Sequence, residues 1–189
     1  MIKHSMIVDD FFHEPDFVRD AILASPMGDH LASDNVTYPG IVELPPFIER
    51  DLEGKFGHLF GERFKSKLMF ARHSYEEMDP PNWAHSDLNM AQYVGLIYMN
   101  PIDYSFIDGT HCVRHKGSRL ETHPSDRAEM DTLLRDGNDK RKWDITYTCP
   151  SRYNRLFILN ARYIHAAACK YGTDRMNSRL VMSVFFDLD

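Results

Sequence analysis

"RLVMSVFFD", residues 179–187, is the run on which the fold turns. Read as a strand, its side chains alternate, with Arg179, Val181, Ser183 and Phe185 on one face and Leu180, Met182, Val184 and Phe186 on the other. Runs of the same texture, rich in aromatic and branched residues and bounded by Gly, Pro, Asn and Asp, recur from about residue 66: "KLMFARHSY" (67–75), "AQYVGLIYMN" (91–100), "HCVRHK" (111–116), "YNRLFILN" (153–160) and "RYIHAAA" (162–168). Almost no helical pattern separates them. This succession predicts an antiparallel β core, closed as a barrel or as a double-sheet jelly roll.

Upstream of residue 66 the period changes. "EPDFVRDAILASP" places Pro15 at a favoured first helical position, Phe17, Val18, Ala21 and Ile22 on one face, and Pro26 as a stop. "PPFIERDLEGKFGHLFG" predicts a second helix with a stripe of Phe47, Ile48, Leu52, Phe56, Leu59 and Phe60, weakened by Gly54 and Gly57. A third helix is expected in "HPSDRAEMDTLLRDG" (123–137), with Asp126 and Glu129 at its start, Met130, Leu133 and Leu134 on its buried side and Gly137 at its end. The expected architecture is mainly β with packing helices (α+β). One domain spans 1–189, with an N-terminal helical part (1–65) packed on a jelly-roll core (66–189) and a helical insertion at about 117–150, placed to cover a barrel mouth. No repeat or linker tract interrupts it.

Bulk composition bounds the function. The chain has 189 residues, 43% hydrophobic and 26% charged, as an ordinary globular protein does. A net charge of −6 argues against a nucleic-acid partner, and "KRK" (140–142) reads as a solvated face. Three cysteines (Cys112, Cys149, Cys169) without C-x-x-C spacing fit neither a disulfide framework nor a zinc knot. With no apolar run of signal or membrane-spanning length, the expected location is cytoplasmic, with no membrane partner.

The chemistry centres on "WAHSD" (83–87). With 10 His and 19 Asp in the chain, about one His-x-Asp is expected by chance, and there is one, so its meaning must come from its surroundings. Iron(II) in oxygenases is often held by two His and one carboxylate on one face, leaving open positions for a co-substrate and dioxygen. His85 and Asp87 would project to one side of an extended segment. His165, in "LFILNARYIHAAA", is the candidate third ligand, brought near by pairing between strands remote in sequence. A dicarboxylate co-substrate beside such a metal calls for a bidentate cation, and arginine suits it best. Arg179 opens an otherwise apolar strand and needs an anion, which a ligand carboxylate or a protein acid such as Asp187 or Asp103 would supply.

The order of these pieces resembles the iron(II)- and 2-oxoglutarate-dependent dioxygenases, most closely the branch with prolyl-hydroxylase-like cores and its small bacterial members. The matching pieces are "RHSY", "HSD", "GLIYMN", "DGTHCV", "NRLFILNARYIH" and "SRLVMSVFFD", over roughly residues 66 to 189. The resemblance implies a double-stranded β-helix (jelly-roll, cupin-like) core, with iron(II) on His85, Asp87 and His165. It also implies Arg179 on the distal carboxylate of 2-oxoglutarate, with Tyr98 beside it and Tyr75 at the other end of the co-substrate. Related halogenases lack the Asp87 carboxylate, so its presence implies hydroxylation or another oxidation. Two features depart from the pattern: Asp108–Gly109 stands where the family has a double Gly, and the 14-residue gap from His165 to Arg179 makes Arg175, at a gap of 10, a rival.

The expected activity is therefore oxidation of a small-molecule or peptide substrate by dioxygen and 2-oxoglutarate. Two other readings stay open: a non-catalytic jelly-roll binding module, and a cupin-like metalloenzyme that does not use 2-oxoglutarate. Arg119, Arg127 and Arg135 in the insertion suit an anionic substrate or a second subunit, so a homodimer is admitted. His111, Cys112, His115 and His123 form a tempting second cluster. Strand alternation turns Cys112 away from His111 and His115, which is poor chelation geometry.

Overall fold

The computed structural model describes residues 3–31, 36–78, 83–101 and 108–189. In chain order the elements are β1 (Ser5–Val8), α1 (Pro15–Ala24), β2 (Met27–Leu31), β3 (Thr37–Val42), α2 (Pro46–Phe60), β4 (Phe64–Ser74), β5 (Tyr93–Tyr98) and β6 (Gly109–His115), followed by α3 (Arg127–Asp136), β7 (Trp143–Pro150), β8 (Arg155–Asn160), β9 (His165–Ala167) and β10 (Arg179–Leu188). The strands form an antiparallel jelly roll. A large sheet in the order β1-β8-β5-β10-β4-β3-β2 faces a small one, β7-β6-β9, and an isolated bridge between His85 and His165 extends the small sheet beyond β9.

β10 is the keystone because it is apolar on both faces. It pairs with β4 on one side (Val181 opposite Arg72, Ser183 opposite Phe70) and with β5 on the other (Val181 opposite Tyr98, Ser183 opposite Leu96). Leu180, Met182, Val184 and Phe186 pack outward against Ile22, Ile48, Leu52 and Phe56 of the two helices. Val181 and Phe185 pack inward, between the sheets, with Tyr98, Cys112 and Phe157. A third cluster of Trp83, Ala84, Val113, Trp143 and Ile164 backs the small sheet and receives Leu133 of α3. At Gly95 of β5, α2 comes so close that a Cβ would lie 3.0 Å from the Phe56 ring.

The helices start as their sequences require. Pro lies in the first turn of α1 and of α2. Asp126 caps α3 by accepting from the Glu129 amide at 2.9 Å, while the Glu129 carboxylate accepts from the Ser125 amide at 2.8 Å. The apolar stripes are narrower than expected: Phe17 is exposed, its ring tilted against that of exposed Phe47 at 5.6 Å, and Leu134 is 70% exposed.

The region before residue 66 is more than helices, since it also holds β1, β2 and β3. β2 is exposed throughout, and β3 contains Pro39 and a left-handed Gly40 (φ 75), so neither shows the apolar alternation of a core strand. Within 117–150, α3 is followed by β7, which pairs along β6 from Gly109–Pro150 to His115–Trp143. Pro80, Pro81 and Asp103 lie outside the described residues. Among the described residues no helix is long and apolar enough to cross a membrane.

Candidate metal centre

β9 and the segment beside it build the site. The His85 and His165 backbones exchange two hydrogen bonds (3.1 and 2.8 Å), and the Asp87 amide donates to the Ala161 carbonyl at 3.0 Å. These bonds hold His165 on one short ladder with His85, 80 positions earlier in the chain, and with Asp87, two residues after His85. The ligand atoms of His85, Asp87 and His165 all lie within 4.8 Å of one another. Asp87 Oδ1 is 3.8 Å from His85 Nε2, and Asp87 Oδ2 is 3.2 Å from His165 Nε2. Adjacent corners of an octahedron with bonds of about 2.1 Å are about 3 Å apart, so small movements would close the set on one ion.

Both imidazoles are held in the same way. His85 Nδ1 meets the Trp83 carbonyl at 3.1 Å and His165 Nδ1 meets the Tyr163 carbonyl at 3.0 Å, in each case two residues upstream. A carbonyl can only accept, so Nδ1 carries the proton and the Nε2 lone pair faces Asp87. No side chain is spent on this, which is why sequence reading missed Trp83 and Tyr163. The donor set is thus two imidazole nitrogens and one carboxylate, which suits a divalent first-row metal. The side chain of His165 is 5% exposed, that of Asp87 13% and that of His85 39%, so the centre opens to solvent on the His85 side.

Electrostatics fit a site that gathers positive charge around one carboxylate. Burial pushes the Asp87 carboxyl up, but His165 and His85 together hold it below its ordinary value. Burial lowers His165, yet Asp87 overrides it and the net direction is upward. His85 is lowered by burial and by His165, with Arg72 adding in the same direction.

The co-substrate candidates divide. Arg179 and Tyr98 face the space between the sheets, and the guanidinium lies 5.9 Å from the Tyr98 ring. Arg179 already has a counter-ion: Nε donates to Asp108 Oδ1 at 2.7 Å and Nη2 to the Gly109 carbonyl at 3.2 Å. Asp108 also accepts from the Gly109 amide (2.6 Å) and the Tyr171 hydroxyl (3.3 Å). The acid is thus neither Asp187, which binds Lys67 and the Gln92 amide, nor one found among near neighbours in sequence. Arg175 points elsewhere, donating to the Ile22 and Ser25 carbonyls at the end of α1. The Tyr98 hydroxyl bonds Thr110 Oγ1 at 2.8 Å. The Tyr75 ring stacks on His73, and its hydroxyl donates to the Met27 thioether at 3.3 Å.

The second histidine cluster is dispersed. His115 Nε2 bonds Asp136, His123 bonds Ser86 and His111 bonds Thr148. Among the described residues, His85, Asp87 and His165 are the one group placed to hold an ion. A surface depression of about 430 Å³ lies away from it, between the end of β1 and α2, lined by Phe11, Asp51 and Lys55 among others.

No family model matches the chain, and no curated protein matches it in sequence. In structure it is similar to HygX from Streptomyces hygroscopicus with nickel, 2-oxoglutarate and hygromycin B bound (13% identity, 98% of this chain, 83% of that one, TM-score 0.58). It is also similar to SnoK, a non-heme alpha ketoglutarate dependent carbocyclase from nogalamycin biosynthesis (12%, 97% and 79%, TM-score 0.60). A third is SnoN, an alpha ketoglutarate dependent epimerase of the same biosynthesis (13%, 97% and 76%, TM-score 0.58). The chain therefore has the jelly-roll fold found in non-heme, 2-oxoglutarate-dependent enzymes.

Proposed function

We propose that the protein is an iron(II)- and 2-oxoglutarate-dependent oxygenase that hydroxylates a C–H bond of a small-molecule or peptide substrate. The order of its motifs favours the branch with prolyl-hydroxylase-like cores. In the overall reaction one atom of dioxygen enters the substrate and the other enters succinate, with loss of carbon dioxide. The observation that carries this reading is the convergence of His85 Nε2, Asp87 and His165 Nε2, with both Nδ1 atoms tied to carbonyls.

These three side chains would hold the ion, and the Trp83 and Tyr163 carbonyls keep the rings turned toward it. When bound, iron(II) with 2-oxoglutarate and dioxygen supplies an oxidant able to break a C–H bond. The protein positions and shields. Val181, Phe185, Phe157 and Cys112 keep water from the inner space, Tyr98 and Arg179 bound its far end, and the solvent-facing side of His85 leaves an approach for substrate.

Anaerobic addition of iron(II) and 2-oxoglutarate should produce the weak visible charge-transfer band of the chelate, and air should then release succinate. If no band forms and no succinate appears, the proposal fails. The Arg179–Asp108 pair favours a second reading, a metalloenzyme that does not use 2-oxoglutarate, because that arginine's charge is already matched. On that reading metal binds without the band. SnoN and SnoK are named as an epimerase and a carbocyclase, so product analysis must decide between oxygen insertion and another oxidative outcome.

A further inference from the structure

If Asp108 neutralises Arg179, a dicarboxylate needs another cation, and the inner face of the large sheet holds one. Strand register places Arg72 of β4 and Tyr98 of β5 on either side of Val181, all three turned inward. Arg179 lies two residues along the same face of β10. Arg72 Nε donates to the Pro39 carbonyl at 3.2 Å, and its guanidinium lies 5.7 Å from the Tyr38 ring. No carboxylate among the described residues pairs with Arg72, whereas Arg179, Arg155 and Arg135 each have one. Register sets Arg72 opposite Val181 and Arg179 opposite Ser74, so the two guanidiniums stand on neighbouring strands one inward step apart. A half-buried guanidinium whose only described hydrogen bond is through Nε keeps both terminal nitrogens for a planar anion.

We infer that Arg72 receives the distal carboxylate of the 2-oxo acid co-substrate, while the Arg179–Asp108 pair forms the fixed, neutral end of the same space. This rests on the 2-oxoglutarate reading above and assigns the co-substrate's distal charge to β4, where the motif order drew only on Tyr75, just past the strand's end, and for the co-substrate's other end. Arg72 is then a specificity determinant for the second carboxylate, with no part in chelation, which uses the oxo-acid end.

The test compares two probes on the iron(II)-loaded protein without oxygen: 2-oxoglutarate, and 2-oxopentanoate, which has the same chain length and no distal carboxylate. Dissociation constants are read from the charge-transfer band and by calorimetry. Wild type should prefer 2-oxoglutarate. In Arg72→Ala that preference should fall about 10- to 100-fold, the range for a lost charge-assisted hydrogen bond, with 2-oxopentanoate binding little changed as proof that the centre is intact. Arg72→Lys, which keeps the charge and loses the fork, should lie between. An unchanged preference in both variants, or loss of both probes alike in both, overturns the inference and leaves the oxygenase reading standing. A wild type that binds neither 2-oxo acid overturns both.

Discussion

Replacing Asp108 by Asn leaves a guanidinium in the protein interior without a counter-ion. The Arg179 side chain is 8% exposed and that of Asp108 2%, with Nε and Oδ1 2.7 Å apart, so solvent cannot take over the charge. Breaking a buried pair from one side costs about 3–5 kcal/mol, against a total stability of about 5–15 kcal/mol for a domain of ordinary stability. Asn keeps one carbonyl oxygen for the Gly109 amide, which puts Asp108→Asn near the lower figure. Arg179→Met should cost less, because Asp108 retains the Gly109 amide and the Tyr171 hydroxyl as donors. The double variant should then cost less than the two singles summed, by about 2 kcal/mol or more. Urea titrations at a constant slope measure all three. Costs that add to within about 0.5 kcal/mol would mean that the pair is not coupled and that Arg179's charge is balanced elsewhere.

Three further outcomes are expected. His73 is fully buried, and burial, then Arg175 and Arg19, hold its pKa at about 4 against 6.5. Because the folded value is the lower one, stability is intact above pH 6.5 and lost as pH falls toward 4, by at most about 3.4 kcal/mol at 1.36 kcal/mol per unit; His73→Gln should flatten that slope in denaturant midpoints measured across pH, and an unchanged slope refutes it. Gly95→Ala forces a Cβ to within 3.0 Å of Phe56 and 3.2 Å of Leu156 and should lower stability by about 1–3 kcal/mol, seen as a reduced melting temperature. His165→Ala should weaken iron(II) or nickel binding beyond the about 10–100-fold typical of losing an outer partner of a ligand; calorimetry showing near-wild-type affinity would remove His165 from the centre.

The core strands were legible because their side chains alternate and their ends carry turn residues. β4, β5, β8 and β10 sit within a few residues of the runs that announce them. β7 was legible too: Trp143, Ile145, Tyr147 and Cys149 alternate with polar residues, but the helical pattern just before them drew the whole segment into an insertion. β2 and β3 carry no such signal, since an exposed strand and one interrupted by Pro39 and Gly40 are held by pairing with neighbours rather than by their own pattern. At the centre, the three ligand candidates share a recognisable order of residues, whereas the ring-orienting carbonyls of Trp83 and Tyr163 are backbone and leave no trace in residue identity. The Arg179–Asp108 pair spans 71 positions. The sequence shows Asp108 only as an acid where a glycine is usual, not as the answer to a buried charge.

β10 lies between β5 and β4 and so joins the two halves of the large sheet. A ribosome makes it after every other strand described here. Until it arrives, β1, β8 and β5 form one fragment and β4, β3 and β2 another, each presenting an unpaired inner edge. The chain therefore spends its synthesis as two half-sheets with sticky borders, and closure waits on contacts between residues more than a hundred positions apart, such as Phe70 with Phe185. Shortening β10 would leave these halves unjoined rather than trim a border, and aggregation of nascent or truncated chains should begin at the exposed edges of β4 and β5.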